Sequence, residues 1–220
     1  MGSRYHLVVF DWEGTIGDPL GQFLSALAIQ AKLLKLDPAD EETARYYIAM
    51  GPVVALKKMF PHLSAAQQAE LLQNTQQTML LNHTDVCLIS GAREILLQIK
   101  KNGIKLAIAT NKGQQSLLRD LTNAGLQDLF DVTRTASQAS AKPSPQMLEE
   151  IIAECGVTAD ETLMVGDSVS DIEMATQLRV TAIGVDFYGQ NEAILRAAGA
   201  EDVFDNFQKL SCYLELMDCK

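Results

Sequence analysis

The chain has 220 residues, 47% of them apolar and 21% charged, with a formal net charge of −10, which suits one folded domain or one domain carrying an insertion. No Lys/Arg-rich run supplies the basic face that displaces counterions from a phosphate backbone, so nucleic-acid binding is not expected; an anionic small substrate stays compatible, because a bound cation can dominate the local field. No stretch reaches the roughly 20 apolar residues of a spanning helix, and the apolar run near the start is too short for a secretory signal. Cys87, Cys155, Cys212 and Cys219 show no C-x-x-C spacing, and His6, His62 and His83 lie far apart, so four reduced thiols and a soluble cytoplasmic protein are expected.

The first element is the run Leu7-Val8-Val9-Phe10, whose continuous apolarity fits a strand buried on both faces. Asp11 follows where the strand surfaces, Glu13 comes two residues later, and Gly14-Thr15 breaks the extended pattern. Leu20, Phe23, Leu24, Leu27, Ala31 and Leu34 then recur at helical spacing, stopped by Asp37-Pro38, with Pro38 placed to open the next helix. Helices are predicted over 39–50, over 53–60 up to Pro61, and from Ser64 to about residue 82, where Gln67 completes a capping box with Ser64. Residues 16–86 therefore read as a helical unit without strands.

From residue 91 onward helix and strand alternate. The pattern predicts helices over 93–101 and 114–124 and strands over 104–109 and 130–135. Ser144 is placed to cap a helix whose first residue is Pro145. A strand over 162–165 ends in Gly166-Asp167, and Ser170 with Glu173 reads as a capping box opening the next helix. A strand over 181–185, a helix over 192–198, a short strand at 203–204 and a helix over 206–217 complete the chain. The predicted fold is α/β, a Rossmann-like parallel sheet with helices on both faces. Loops in such units usually run about 2–6 residues, so the helical unit reads as an insertion after the first strand, placed as a lid. The predicted division is 1–15 with 87–220 for the core and 16–86 for the insertion.

Four predicted strand ends carry polar groups to one edge: Asp11 with Glu13, Thr110, Lys142, and Asp167 with Asp171. Each alone is what a solvated turn or a capping residue looks like. Together, in this order, they mark the carboxyl edge where open α/β sheets bind ligands.

The sequence resembles the haloacid dehalogenase superfamily, in particular its phosphohydrolases with a helical cap inserted after the first strand. The resemblance rests on D-W-E-G-T at 11–15, a strand ending in Thr110, Lys142 in K-P-S-P, and G-D-S-V-S-D at 166–171. The stretch 51–61 is similar to the cap segment of phosphoglycolate-phosphatase-like members. The resemblance implies a Mg²⁺-dependent phosphatase acting on a small phosphorylated metabolite through an aspartyl-phosphate. It assigns Asp11 as nucleophile and metal ligand, Asp167 and the main-chain carbonyl of Glu13 as further ligands, and Asp171 to the surroundings of the metal. It assigns Thr110, Asn111 and Lys142 to the phosphoryl group, with Lys142 neutralising charge, and Glu13 to acid–base work.

One position departs from the family pattern: Glu13 stands where its phosphatases carry Asp. The chemistry is the same, but the carboxyl lies one carbon–carbon bond farther out, about 1.5 Å, and a misplacement near 1 Å can cost about 10²-fold in rate. Two other readings therefore stay open: a hexose-phosphate-type phosphomutase, and a catalytically weakened phospholigand-binding protein.

Overall fold

The computed structural model describes residues 4–37, 39–81 and 86–216. They divide into two compact units, one formed by Met1–Gly17 with Leu88–Lys220 and the other by Asp18–Cys87.

The first strand, β1 (Leu7–Phe10), is buried at every position, as its unbroken apolar sequence requires when both faces are covered. The chain then enters the helical unit: α1 (Pro19–Leu33), α2 (Glu41–Ala49), α3 (Pro52–Met59) and α4 (Ala65–Leu81). Its own core gathers Phe23, Leu27 and Ala31 from α1, Ile48 from α2, Ala55 and Leu56 from α3, Phe60, and Leu71 from α4. Asp18 caps α1 by accepting the Gly21 N–H and pairs with Arg45 of α2 at 2.8 Å. Ser64 and Gln67 exchange the expected capping-box hydrogen bonds.

The end of α1 differs from the sequence reading. The helix stops at Leu33 rather than near Asp37, and Leu34 is 53% exposed. Lys35 adopts a left-handed φ of 55° while Lys35 and Leu36 donate back to Lys32 and Ala31. That pattern satisfies the last carbonyls of a helix, usually around a glycine; with lysine in the place, the sequence carried no stop signal there. Pro38, expected to open the next helix, and the expected end of α4 near residue 82 lie outside the described residues, and Asp40 caps α2.

The second part of the α/β unit runs α5 (Ala92–Lys101), β2 (Lys105–Thr110), α6 (Gln114–Asn123), β3 (Val132–Thr135), α7 (Gln146–Cys155), β4 (Thr162–Gly166), α8 (Val169–Gln177), β5 (Thr181–Val185), α9 (Glu192–Ala198), β6 (Asp202–Phe204) and α10 (Phe207–Tyr213). All six strands are parallel, in the order β3-β2-β1-β4-β5-β6. Leu7, Val9, Ala107, Ala109 and Met164 pack with Leu148 and Ile151 of α7 and Ile172 and Ala175 of α8. The alternate residues Val8, Phe10, Leu106 and Ile108 are equally inaccessible, so the opposite face is covered too. The order reverses direction at β1, with β2 and β3 to one side and β4 to β6 to the other. Such a switch point is where open α/β sheets leave a crevice beyond their carboxyl ends. The Asp11 N–H donates to the Val165 carbonyl at 2.9 Å, carrying the β1–β4 ladder to its last residue. Asp11 thus stands at the switch point.

Cys87 and Cys155 are free thiols, as expected. Cys219 lies outside the described residues. Among the described residues no helix is long and apolar enough to cross a membrane.

Candidate active site

Beyond β1 the chain gathers charge. The Lys142 ammonium donates to Asp11 Oδ1 at 2.6 Å and to Asp171 Oδ1 at 2.5 Å, with the lysine side chain 2% exposed. Asp11, Asp167 and Asp171 each offer a carboxylate oxygen within 4.8 Å of the others. Two carboxylates therefore share one buried cation, with Asp167 close beside them, and these four predicted site residues are brought together from three strand ends.

Local structure sets each of them. The turn from β4 into α8 is a capping box: Asp171 Oδ2 accepts from Ser168 N at 3.1 Å and Ser168 Oγ at 2.6 Å. This corrects the expected box at Ser170 and Glu173, because α8 begins two residues earlier, directly after the strand end. Asp171 then has one oxygen for the cap and one for Lys142. Glycine is demanded twice by close approach. At Gly166 a Cβ would lie 2.3 Å from Asp171 Cγ, and at Gly14, with φ of 80°, it would lie 2.2 Å from Asp167 Oδ2. Thr15 Oγ1 donates to Asp167 Oδ1 at 3.4 Å. Thr110 is buried at the end of β2 and its hydroxyl accepts the Lys112 N–H. Asn111 Oδ1 accepts the main-chain N–H of Lys142 at 2.8 Å, so this side chain braces the lysine's backbone. The helix expected to begin at Pro145 starts one residue later; Pro145 is its cap, and the Gln146 side chain ties back to Ser140.

Crowding shows in the protonation equilibria. Burial pushes the Asp11 carboxyl up to about 6, with Lys142 opposing the rise and Asp171 adding to it. Burial also lifts Asp167 to about 7, helped by the charges of Asp11 and Asp171. Burial disfavours the Lys142 ammonium, but Asp11 and Asp171 outweigh that and hold its pKa above the ordinary value.

Glu13 stands apart. Its side chain is 57% exposed and its Oε1 accepts from Lys112 Nζ at 2.7 Å. Lys112 also lies 3.1 Å from Asp120 Oδ2, which accepts the Trp12 indole N–H at 3.2 Å. Lys112 and Asp120 drew no attention in the sequence. The available signal was the placement of Lys112 two residues past Thr110, on the same strand edge as the other polar ends.

An all-oxygen set of closely spaced carboxylates, two of them (Asp11 and Asp167) disfavoured as anions chiefly by burial, fits a hard divalent cation. The absence of Cβ atoms at Gly14 and Gly166 leaves Asp167 and Asp171 room to converge. Fold and site together define an α/β enzyme with an acidic centre at the switch point of a parallel sheet. A family model described as haloacid dehalogenase-like hydrolase matches residues 8–185. A phosphoglycolate phosphatase of Colwellia psychrerythraea is 28% identical, over 93% of this chain and 94% of its own. A probable phosphatase, IndB, of Dickeya dadantii is 30% identical, over 93% of this chain and 91% of its own. The crystal structure of a haloacid dehalogenase family hydrolase from Deinococcus radiodurans, with bound phosphate and sodium, matches with a TM-score of 0.70 at 20% identity, covering 97% of each chain. The chain belongs to the haloacid dehalogenase-like hydrolases, and within them to the phosphatases, the hydrolases of phosphoric monoesters.

Proposed function

We propose that this enzyme is a Mg²⁺-dependent phosphatase of a small phosphorylated metabolite, of the phosphoglycolate or sugar-phosphate class, working through an aspartyl-phosphate on Asp11. The observation that carries this reading is the Asp11 carboxylate at the switch point, buried and bound by Lys142 at 2.6 Å within a ring of two further carboxylates. Its names come from relatives that span nearly all of the chain.

Asp11 is the nucleophile: one of its oxygens bonds to phosphorus as the bond to the ester oxygen breaks. Lys142 neutralises charge on the nucleophile and on the phosphoryl oxygens, and Thr110 donates to one of those oxygens. Asn111 holds Lys142 in register through its main-chain N–H. Glu13, in its protonated form, gives its proton to the departing alkoxide and is left as the anion that pairs with Lys112. It then takes a proton from the water that bonds to phosphorus as the Asp11–phosphorus bond breaks. Asp11, Asp167 and the Glu13 carbonyl would hold Mg²⁺, with Asp171 behind them. Such an ion supplies charge compensation for the phosphoryl group. The inserted helical unit is read as the cap that selects the leaving group.

The test is phosphate release from a panel of esters including 2-phosphoglycolate and hexose phosphates, with Mg²⁺ or EDTA. The reading expects metal-dependent release that vanishes in Asp11→Asn. Isomerised sugar phosphate without free phosphate would replace it with a mutase, and tight ester binding without turnover would replace it with a binding protein.

A further inference from the structure

We propose that Lys112 is the positioning residue for Glu13, and that the pair is what lets the longer carboxylate stand at this place in the sequence. The inference rests on the acid–base role given to Glu13 above.

Glu13 has one more rotatable bond than Asp, and with its side chain 57% exposed, packing alone does little to fix it. A mobile carboxylate at a reacting centre forfeits the advantage of a preorganised one. Lys112 removes that freedom. Its side chain is 19% exposed, and its ammonium donates to Glu13 at 2.7 Å and is itself fixed by Asp120 at 3.1 Å. Asp120 is buried on α6 and accepts the indole N–H of Trp12, the residue between Asp11 and Glu13. One stretch, from the end of β2 through the first turns of α6, thus grips both residues that follow the Asp11 backbone.

A lone exposed ion pair holds a side chain only weakly, and this one differs in being anchored at its far end by Asp120. Among the described residues the Lys112 side chain pairs with Glu13 and Asp120, and not with Asp11, Asp167 or Asp171, so its influence on the reaction runs through Glu13.

A double-mutant cycle tests this. With the ester turned over fastest, Lys112→Met is expected to lower kcat about tenfold, inside the range for a misplaced catalytic group, with KM unchanged within about twofold. In the Glu13→Gln background the same substitution is expected to lower kcat no further. An equal loss in both backgrounds overturns the inference, because Lys112 then acts on something other than Glu13. A raised KM at constant kcat overturns it in favour of substrate binding. Should Glu13→Gln leave kcat unchanged, the acid–base reading fails first and independently; should Glu13→Gln abolish turnover while Lys112→Met does nothing, only the inference fails. Lys112→Gln, with thermal unfolding and the fluorescence of the single Trp12, repeats the cycle where Lys112→Met does not fold.

Discussion

Lys142 is the residue whose loss should be felt most. It is the only cation bonded to Asp11 and Asp171 among the described residues, and all three side chains are nearly inaccessible. Removing one partner of a buried ion pair typically costs about 3–5 kcal/mol, because the other is left charged in a dry site. Lys142→Met should therefore lower unfolding free energy in EDTA by that order, measured by urea titration, and abolish phosphate release. Glu13→Asp, a return to the residue usual in the family's phosphatases, should not improve the enzyme. Shortening the side chain by about 1.5 Å opens the contact to Lys112, so steady-state kcat is expected to fall. A clear gain would show that Glu13 is an impaired substitute. The residues of the acidic cluster were legible in the sequence because each follows a strand end, where chain direction alone fixes which edge a side chain reaches. Lys112 and Asp120 were not. The Lys112 partner lies 99 positions away, and a lysine opening a helix looks the same whether solvated or held.

At the scale of elements, the turn joining β4 to α8 does two jobs with one side chain. Asp171 caps the helix through Ser168 and holds Lys142 with its other oxygen. Ser168→Ala should cost about 1 kcal/mol, as lost N-caps do, and should also lower kcat, since Asp171 loses one of its three hydrogen-bond donors. Stability and rate measured on the same preparation check this. An unchanged rate would make the cap structural only. Gly14→Ala places a Cβ against Asp167 and forces a left-handed φ on alanine, so Mg²⁺ affinity should drop along with activity. The alternation of helix and strand made these elements visible in the sequence. Their register was harder, since Ser168 and Ser170 both offer a serine with an acid three residues later. The early end of α1 was invisible because Lys35 stands where glycine gives the usual signal.

For the whole molecule, the fold class followed from composition and alternation, while the strand order did not, because sequence periodicity says that a strand is buried without naming its neighbours. The order matters, since placing β1 between β2 and β4 brings Asp11 beside both Thr110 and Asp167. The acidic centre also links stability to pH. Asp11 and Asp167 have pKa values raised from the ordinary 3.8 to about 6 and about 7, so between pH 4 and 7 the folded state binds more protons than the unfolded one. Their contribution to stability therefore falls as pH rises through that window. Thermal unfolding in EDTA should show this decline. Saturating Mg²⁺ should raise the melting temperature most at its upper end, by an amount that grows with the logarithm of metal concentration.

The central claim is that Asp11 carries the phosphoryl group. Acid quenching during turnover, followed by peptide mass analysis, tests it most directly. The mass of one phosphoryl group is expected on the peptide containing Asp11 and is expected to be absent in Asp11→Asn. A phosphoryl group on any other side chain, or full turnover by Asp11→Asn, would contradict it.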